Sequence, residues 1–555
     1  MSKVSLRGYV AGMLVLTGAL VLGCAPAAQA PTDQGGGDKG SADQINTNAP
    51  FVTKGDPKHG GVLRIMQTDD PPNFDLYSNS TYAMQNFTWS AYNNLVIFDP
   101  YDPTKIIPDA AERWEISKDG KEVTFYLNKS IKFHNGTPMT SKDVKFSLEF
   151  IKDPPKGNVS TRQDNLKPVD SIETPDDYTV KLKLSRPYAA LLPMLAQGWM
   201  GIYSKDFVAA KGNDIMKKEI MGTGAFRFKN YIRGTSIEMV KNPDYWQPGV
   251  PYLDGITSYI IADKGTRFAA LRTANIDLER VDELQAEELE KSLSGKVSIE
   301  KGIGQNWSTL NMNADRKPLD DLRVRKALSL AIDRRGFIKA IQHGAGQLGG
   351  YVPPTSPYAL PESELLKLPG YGPDIAANRA EAKKLLAEAG YPNGFDTTMT
   401  TRKEASYQDL AIYVTDQLKQ IGITAPLKIL DSGPAYDAAV KREFDLLPWG
   451  HGAALDDPDA HYTELYLCGA PRDYSGMCDQ KVTELFDKQS VQLDPEKRNQ
   501  LVWDLEKYAV PLSIKIILAW TSYQTATWSY VKGFVQGPSG TGYNVRHYKQ
   551  VWIDK

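Results

Sequence analysis

The run His451-Gly452-Ala453-Ala454-Leu455-Asp456-Asp457-Pro458-Asp459-Ala460-His461 gathers two imidazoles and three carboxylates in eleven residues. Such side chains can ligate a transition metal. Their spacing matches no closed structural site, so no metal is expected, and Asp456-Asp457-Pro458-Asp459 reads equally as a turn that caps the next helix. The remaining inventory for chemistry is thin. There is no Gly-x-x-x-x-Gly-Lys-Ser/Thr loop, no Gly-x-Ser-x-Gly elbow and no His-Glu-x-x-His, and Lys301-Gly302-Ile303-Gly304 lacks the third glycine of a dinucleotide fingerprint. The chain has 28 Tyr and 10 Trp against 6 His and 3 Cys, which favours ring contacts over acid-base or nucleophilic work. An enzyme is not expected and no cofactor is implied. A secreted hydrolase with a carboxylate pair is the alternative from another class, because Asp and Glu occur throughout.

These residues must be positioned by an α/β alternation. Val123, Phe125 and Leu127 alternate with polar residues, as do Val180, Leu182 and Leu184, and Phe226 and Phe228 repeat the period of two. Thr140 and Asp143 have capping-box spacing ahead of Val144, Leu148 and Ile151. Asp320 or Asp321 is expected to open a helix through Val324, Ala327, Leu328 and Ala331. Asn378 is expected to cap one that Gly390 closes, and Asp494-Pro495-Glu496 to start another. At 555 residues the chain is long enough for several domains or two large lobes. The balance of 65 Lys+Arg against 67 Asp+Glu argues against a nucleic-acid partner.

Residues 1–23 read as a secretory signal, with Lys3 and Arg7 before an apolar run over 10–22. Val21-Leu22-Gly23-Cys24 resembles a lipobox, so Cys24 is the expected lipidation site. Ala28-Gln29-Ala30 is a competing cleavage site, and an uncleaved anchor over 8–28 is a third reading. All three export the remainder. Residues 24–57 are rich in Ala, Pro, Gly, Gln, Asp, Ser and Thr and read as a flexible tether spanning roughly 30 Å. In an exported chain Cys468 and Cys478, ten apart across Gly and Pro, are expected to form a disulfide.

Three blocks, each of two stretches and in order along the chain, then carry a resemblance. Pro108-Asp109-Ala110-Ala111-Glu112-Arg113-Trp114 leads to Ile131-Lys132-Phe133-His134-Asn135-Gly136-Thr137-Pro138. Gly222-Thr223-Gly224-Ala225-Phe226 precedes Asn242-Pro243-Asp244-Tyr245-Trp246, and Pro318-Leu319-Asp320-Asp321-Leu322-Arg323 precedes Ala331-Ile332-Asp333-Arg334. This resembles solute-binding protein family 5, the peptide, nickel and opine group of ABC importers. The resemblance implies a two-lobed periplasmic-binding-protein clamshell of type II with an extra subdomain. Lobe I would take 58–94, 219–305 and 515–555, an inserted subdomain 95–218, and lobe II 306–514. It also implies a monomer on the outer face of the cytoplasmic membrane or in the periplasm. Such a protein hands its solute to a membrane permease with ATPase subunits.

In peptide-binding relatives a Trp in the second lobe is followed three residues on by an Asp that pairs with the peptide amino terminus. Trp449 matches the Trp, but Gly452 stands where the Asp would be. Asp456 or Asp457 is the replacement candidate, with His451 nearby. Weaker pocket candidates are Gly222, Thr223, Gly224, Asn306, Trp307 and Tyr203. Peptide is the expected cargo. An oligosaccharide, another organic solute or a nickel chelate is the alternative, and a peptide-holding chaperone is a further class.

Overall fold

The computed structural model describes residues 55–79, 82–453, 455–535 and 545–555. The expectations for the leader and for Cys24 lie outside these residues, as does most of the tether. Among the described residues no helix is long and apolar enough to cross a membrane.

The chain forms a two-lobed mixed α/β clamshell built on three main sheets. One has the strand order Val62–Gln67, Gly255–Ile260, Ser236–Lys241, Phe226–Ile232, parallel at its first pair and antiparallel after it. A second, wholly antiparallel, orders Ala111–Ile116, Glu122–Leu127, Thr179–Leu184 and Val169–Asp176. The expected alternation is visible there: Val123, Phe125, Val180 and Leu182 point into the core while their neighbours stay partly exposed.

The third sheet has six strands, ordered Leu278–Val281, Lys515–Trp528, Val297–Met312, Leu446–Gly452, Met399–Arg402, Leu427–Leu430. Its two long strands, Val297–Met312 and Lys515–Trp528, run through the middle of the molecule as an antiparallel pair. Their ladder is interrupted between Ile303 and Trp307. On one side of the break they pack with Leu271, Ile276 and Leu289; on the other they serve the cores around Leu328 and Tyr462. One pair of strands thus serves three separate cores.

The helices start where short polar side chains can accept free N–H groups. Thr140 and Asp143 form the capping box of Ser141–Lys152, and Asp321 rather than Asp320 caps Leu322–Ala331. Asp494 caps Pro495–Ala509. One expectation is corrected. Helix Ile375–Glu388 begins a turn before Asn378, because Asp374 accepts from Ala377 N–H at 2.9 Å and captures the start first. Gly390 does follow its end, with φ of +94°.

Candidate functional site

A cavity of about 390 Å³ lies between residues 85–199 on one side and 452–472 on the other. Its first wall is aromatic. Trp89 and Trp199 meet edge to face with ring centroids 5.3 Å apart, a geometry the ring quadrupoles favour. Gly198 permits it, since a Cβ there would fall 2.2 Å from the Trp89 ring. The Arg162 guanidinium lies 5.1 Å over the Trp199 ring, and Gln85 and Gln197 add amides to the same wall.

The second wall is the end of strand Leu446–Gly452 and the helix Pro458–Leu465. Asp457 caps that helix and Pro458 occupies its first turn, which suits Pro because no N–H is needed there. Helical spacing then sorts the side chains. Ala460, Thr463 and Glu464 line the cavity, while His461, Tyr462 and Leu465 are sealed in the core. Arg472 reaches the same wall from the loop that the Cys468–Cys478 disulfide closes. Its Nη1 donates to Gly452 O at 3.0 Å and to Glu464 Oε2 at 3.1 Å, and its Nη2 to His451 Nδ1 at 3.3 Å. Burial, then the Arg472 and Lys515 charges, hold the His451 pKa well below its usual value, so the ring stays a neutral acceptor.

A second cavity, of about 230 Å³, lies across the 455–457 segment and is lined by Phe98, Tyr358, Asp456, Asp457 and Tyr523 among others. Two of the three carboxylates in this segment, the expected Asp457 and its neighbour Asp459, share one arginine. Arg498 holds Asp457 in a two-pronged pair at 2.8 and 2.9 Å and reaches Asp459 at 3.2 Å. Gln489 and Ser490 donate to Asp459 at 2.6 and 2.7 Å. Asp456 differs. Burial pushes its pKa up to about 7, aided by the Asp457 charge and opposed by a hydrogen bond from Ser356.

Most of the other residues expected at a ligand line neither cavity. Trp449 is enclosed by Tyr407, Tyr436 and Tyr474, with Arg402 at 5.4 Å. Trp307 packs on Trp520 at 4.5 Å with His451 and His461 at its edges. Both His461 nitrogens are buried without a hydrogen-bond partner, and burial lowers its pKa to about 3. Asn306 is exposed, and a Cβ on Gly452 would meet its Oδ1 at 2.2 Å. Gly222 and Gly224 pack on the backbone of Ser90 and Ala91, where an added Cβ would come within 2.4 Å. Thr223 donates to Asn93 Oδ1, and the buried Tyr203 hydroxyl accepts from Leu76 N–H at 2.8 Å. Of the expected set, Asp456 and Asp457 border the smaller of these two cavities and Gly452 the larger, while Gly224 lines a third, much smaller pocket beside Asn93 and Phe226.

The residues that do line the larger cavity, Trp89, Arg162, Trp199, Glu464 and Arg472, carried one usable sequence signal. Arg472 falls inside the ten-residue span between the two cysteines. Trp89 and Trp199 are separated by more than a hundred residues, and nothing local marks them as a pair.

The family model described as bacterial extracellular solute-binding proteins, family 5, matches residues 105–472. The glutathione-binding protein GsiB of Escherichia coli is 30% identical over 383 residues, covering 64% of this chain and 72% of that protein. The periplasmic binding protein DppA of Helicobacter pylori, solved with a bound peptide, is 28% identical. It superposes with a TM-score of 0.76 over 90% of this chain and 99% of its own. The binding protein AgaA of A. tumefaciens, solved with agropinic acid, is 28% identical, with a TM-score of 0.72 over 89% of this chain and 99% of its own.

Proposed function

The chain belongs to the bacterial extracellular solute-binding proteins of family 5, and from that premise we propose that it captures a short peptide in the 390 Å³ cavity and delivers it to an ABC permease. The observation that carries this is the cavity itself: two facing walls, one of indole rings and one bearing a fixed guanidinium, drawn from chain segments more than 250 residues apart. Its volume sits at the low end of ordinary small-molecule sites, about 300–1,000 Å³, which suits two or three amino-acid residues. GsiB and DppA support peptide as the class. AgaA, with a non-peptide acid, supports a second reading in which the solute is another small organic acid.

Lobe I is 58–94, 219–305 and 515–555, with the subdomain 95–218 inserted, and lobe II is 306–514. The interrupted ladder between Ile303 and Trp307 supports a hinge at the crossing of the long strands, because a register break absorbs a change in strand angle. Ligand selects the closed form to the extent that it binds that form more tightly than the open one. The protein acts as an exported monomer anchored through a lipid on Cys24, and it changes no bond in its cargo.

Thermal unfolding of ligand-stripped protein tests the reading. A peptide present at 100 times its Kd should stabilise by about 2.7 kcal/mol. Dipeptides and tripeptides should raise Tm, and oligosaccharides and Ni²⁺ should not. An unchanged Tm with every peptide tried would overturn it.

A further inference from the structure

We propose that Arg472 anchors a carboxylate of the ligand and that His451 is the positioning residue that fixes its guanidinium. This rests on the larger cavity being the ligand site. The arginine is built in from behind. Its own N–H donates to Glu464 O at 2.9 Å, and its carbonyl accepts from the buried ammonium of Lys515 at 3.3 Å. The disulfide closes the loop that carries it. The guanidinium is then held in plane by acceptors that bear no charge, Gly452 O and His451 Nδ1.

The His451 ring cannot easily turn away. It lies 5.9 Å from the Trp307 ring and 5.7 Å from Tyr474, and its Nε2 faces Asn311 Oδ1 at 3.5 Å. With Nε2 carrying the proton, Nδ1 is left as the acceptor Arg472 requires. Among the described residues, the anion paired with Arg472 is Glu464, at the cavity wall, with 41% of its side chain exposed. An ion pair this open to water contributes little, so a ligand carboxylate can take its place. A planar guanidinium held still is suited to a two-pronged bond to that carboxylate, which a lysine could not supply. Arg162 on the opposite wall adds a second cation to the same cavity.

The test uses two tripeptide libraries without Asp or Glu, one with free carboxyl termini and one amidated, and reads apparent affinity from thermal shift. The wild type should prefer the free carboxylates by about tenfold or more. Arg472→Gln should bring the ratio to one while amide binding persists. Glu464→Gln, a change at a part-exposed position that the fold tolerates, should raise carboxylate binding severalfold. His451→Phe should reduce the ratio, and His451→Asn, which restores an acceptor, should recover it. A purely structural histidine would lower Tm in both variants and leave the ratio alone. A wild type that responds equally to both libraries, or an Arg472→Gln protein that keeps its preference, overturns the anchor. A wild type that responds to neither overturns the peptide reading and the anchor with it.

Discussion

Among the described residues, two tryptophan pairs are buried to almost the same degree and face different surroundings. Trp307 and Trp520 meet inside the core around Tyr462, with His451 and His461 beside them. Trp89 and Trp199 are hardly more exposed, at 3% and 2%, yet their far side is a polar cavity shared with Arg162, Glu464 and Arg472. Burial therefore does not separate a core ring from one that lines a cavity. What lies beyond the ring separates them: packed side chains in one case, in the other a space with charges on its rim. The same holds for carboxylates. Glu506 is sealed in the interior and accepts from Val352 N–H, whereas Glu464 stands at the wall of the cavity.

Removing an interior ring gives the largest expected effect. Trp307→Ala should cost about 3–5 kcal/mol in denaturant unfolding, since it opens a void in a close-packed core. The ratio of carboxylate to amide binding should fall only in part in the folded fraction, because Trp307 is one of the contacts that hold His451, and Tyr474 and Asn311 remain. Complete loss of that ratio would break the contrast between interior and wall.

Glu506→Gln comes next. Burial pushes the Glu506 pKa up to about 7 from 4.5. Between those values the folded state holds a proton that the unfolded chain has released, so stability falls as pH rises through the window and the cost is complete above it. Glutamine carries no charge to bury. It should stabilise the protein at pH 8 by about 3 kcal/mol and flatten the dependence between pH 4.5 and 7, leaving ligand affinity unchanged. Equal pH slopes for the two proteins would refute this.

Trp199→Phe should have the smallest effect on stability and a measurable one on binding. It keeps an aromatic ring against Trp89 but weakens the contact with Arg162, worth about 1 kcal/mol. Titration should then show a loss of affinity of roughly fivefold. If Trp307→Ala and Trp199→Phe shift affinity equally, the two pairs are not distinct in function.

The fold was largely legible because its signals are local. The period of two over Val123, Phe125 and Leu127, and the caps at Thr140 and Asp494, act within a few residues and need no knowledge of the rest of the chain. The miss at Asn378 had a local cause too, since two cap candidates stood four residues apart and the earlier one won. The site was less legible. Trp449 and Trp307 stood out by motif and by place, and both proved to be enclosed by neighbours from elsewhere in the chain. Trp89, Trp199 and Arg472 had no motif and came to line one cavity only when three distant segments met.

By itself, then, the sequence determined the element types, the family and the pair of cysteines that the structure joins. It put forward Asp456 and Asp457 as ligand candidates without separating them, with Asp459 a third carboxylate within four residues. Tertiary structure divided them. Arg498, some forty residues further on, pairs with Asp457 and reaches Asp459, while burial next to Asp457 raises the pKa of Asp456 and of Asp459. The reason is that a carboxylate's role depends on the charges and solvent around it. A chain sets those only by folding distant residues together.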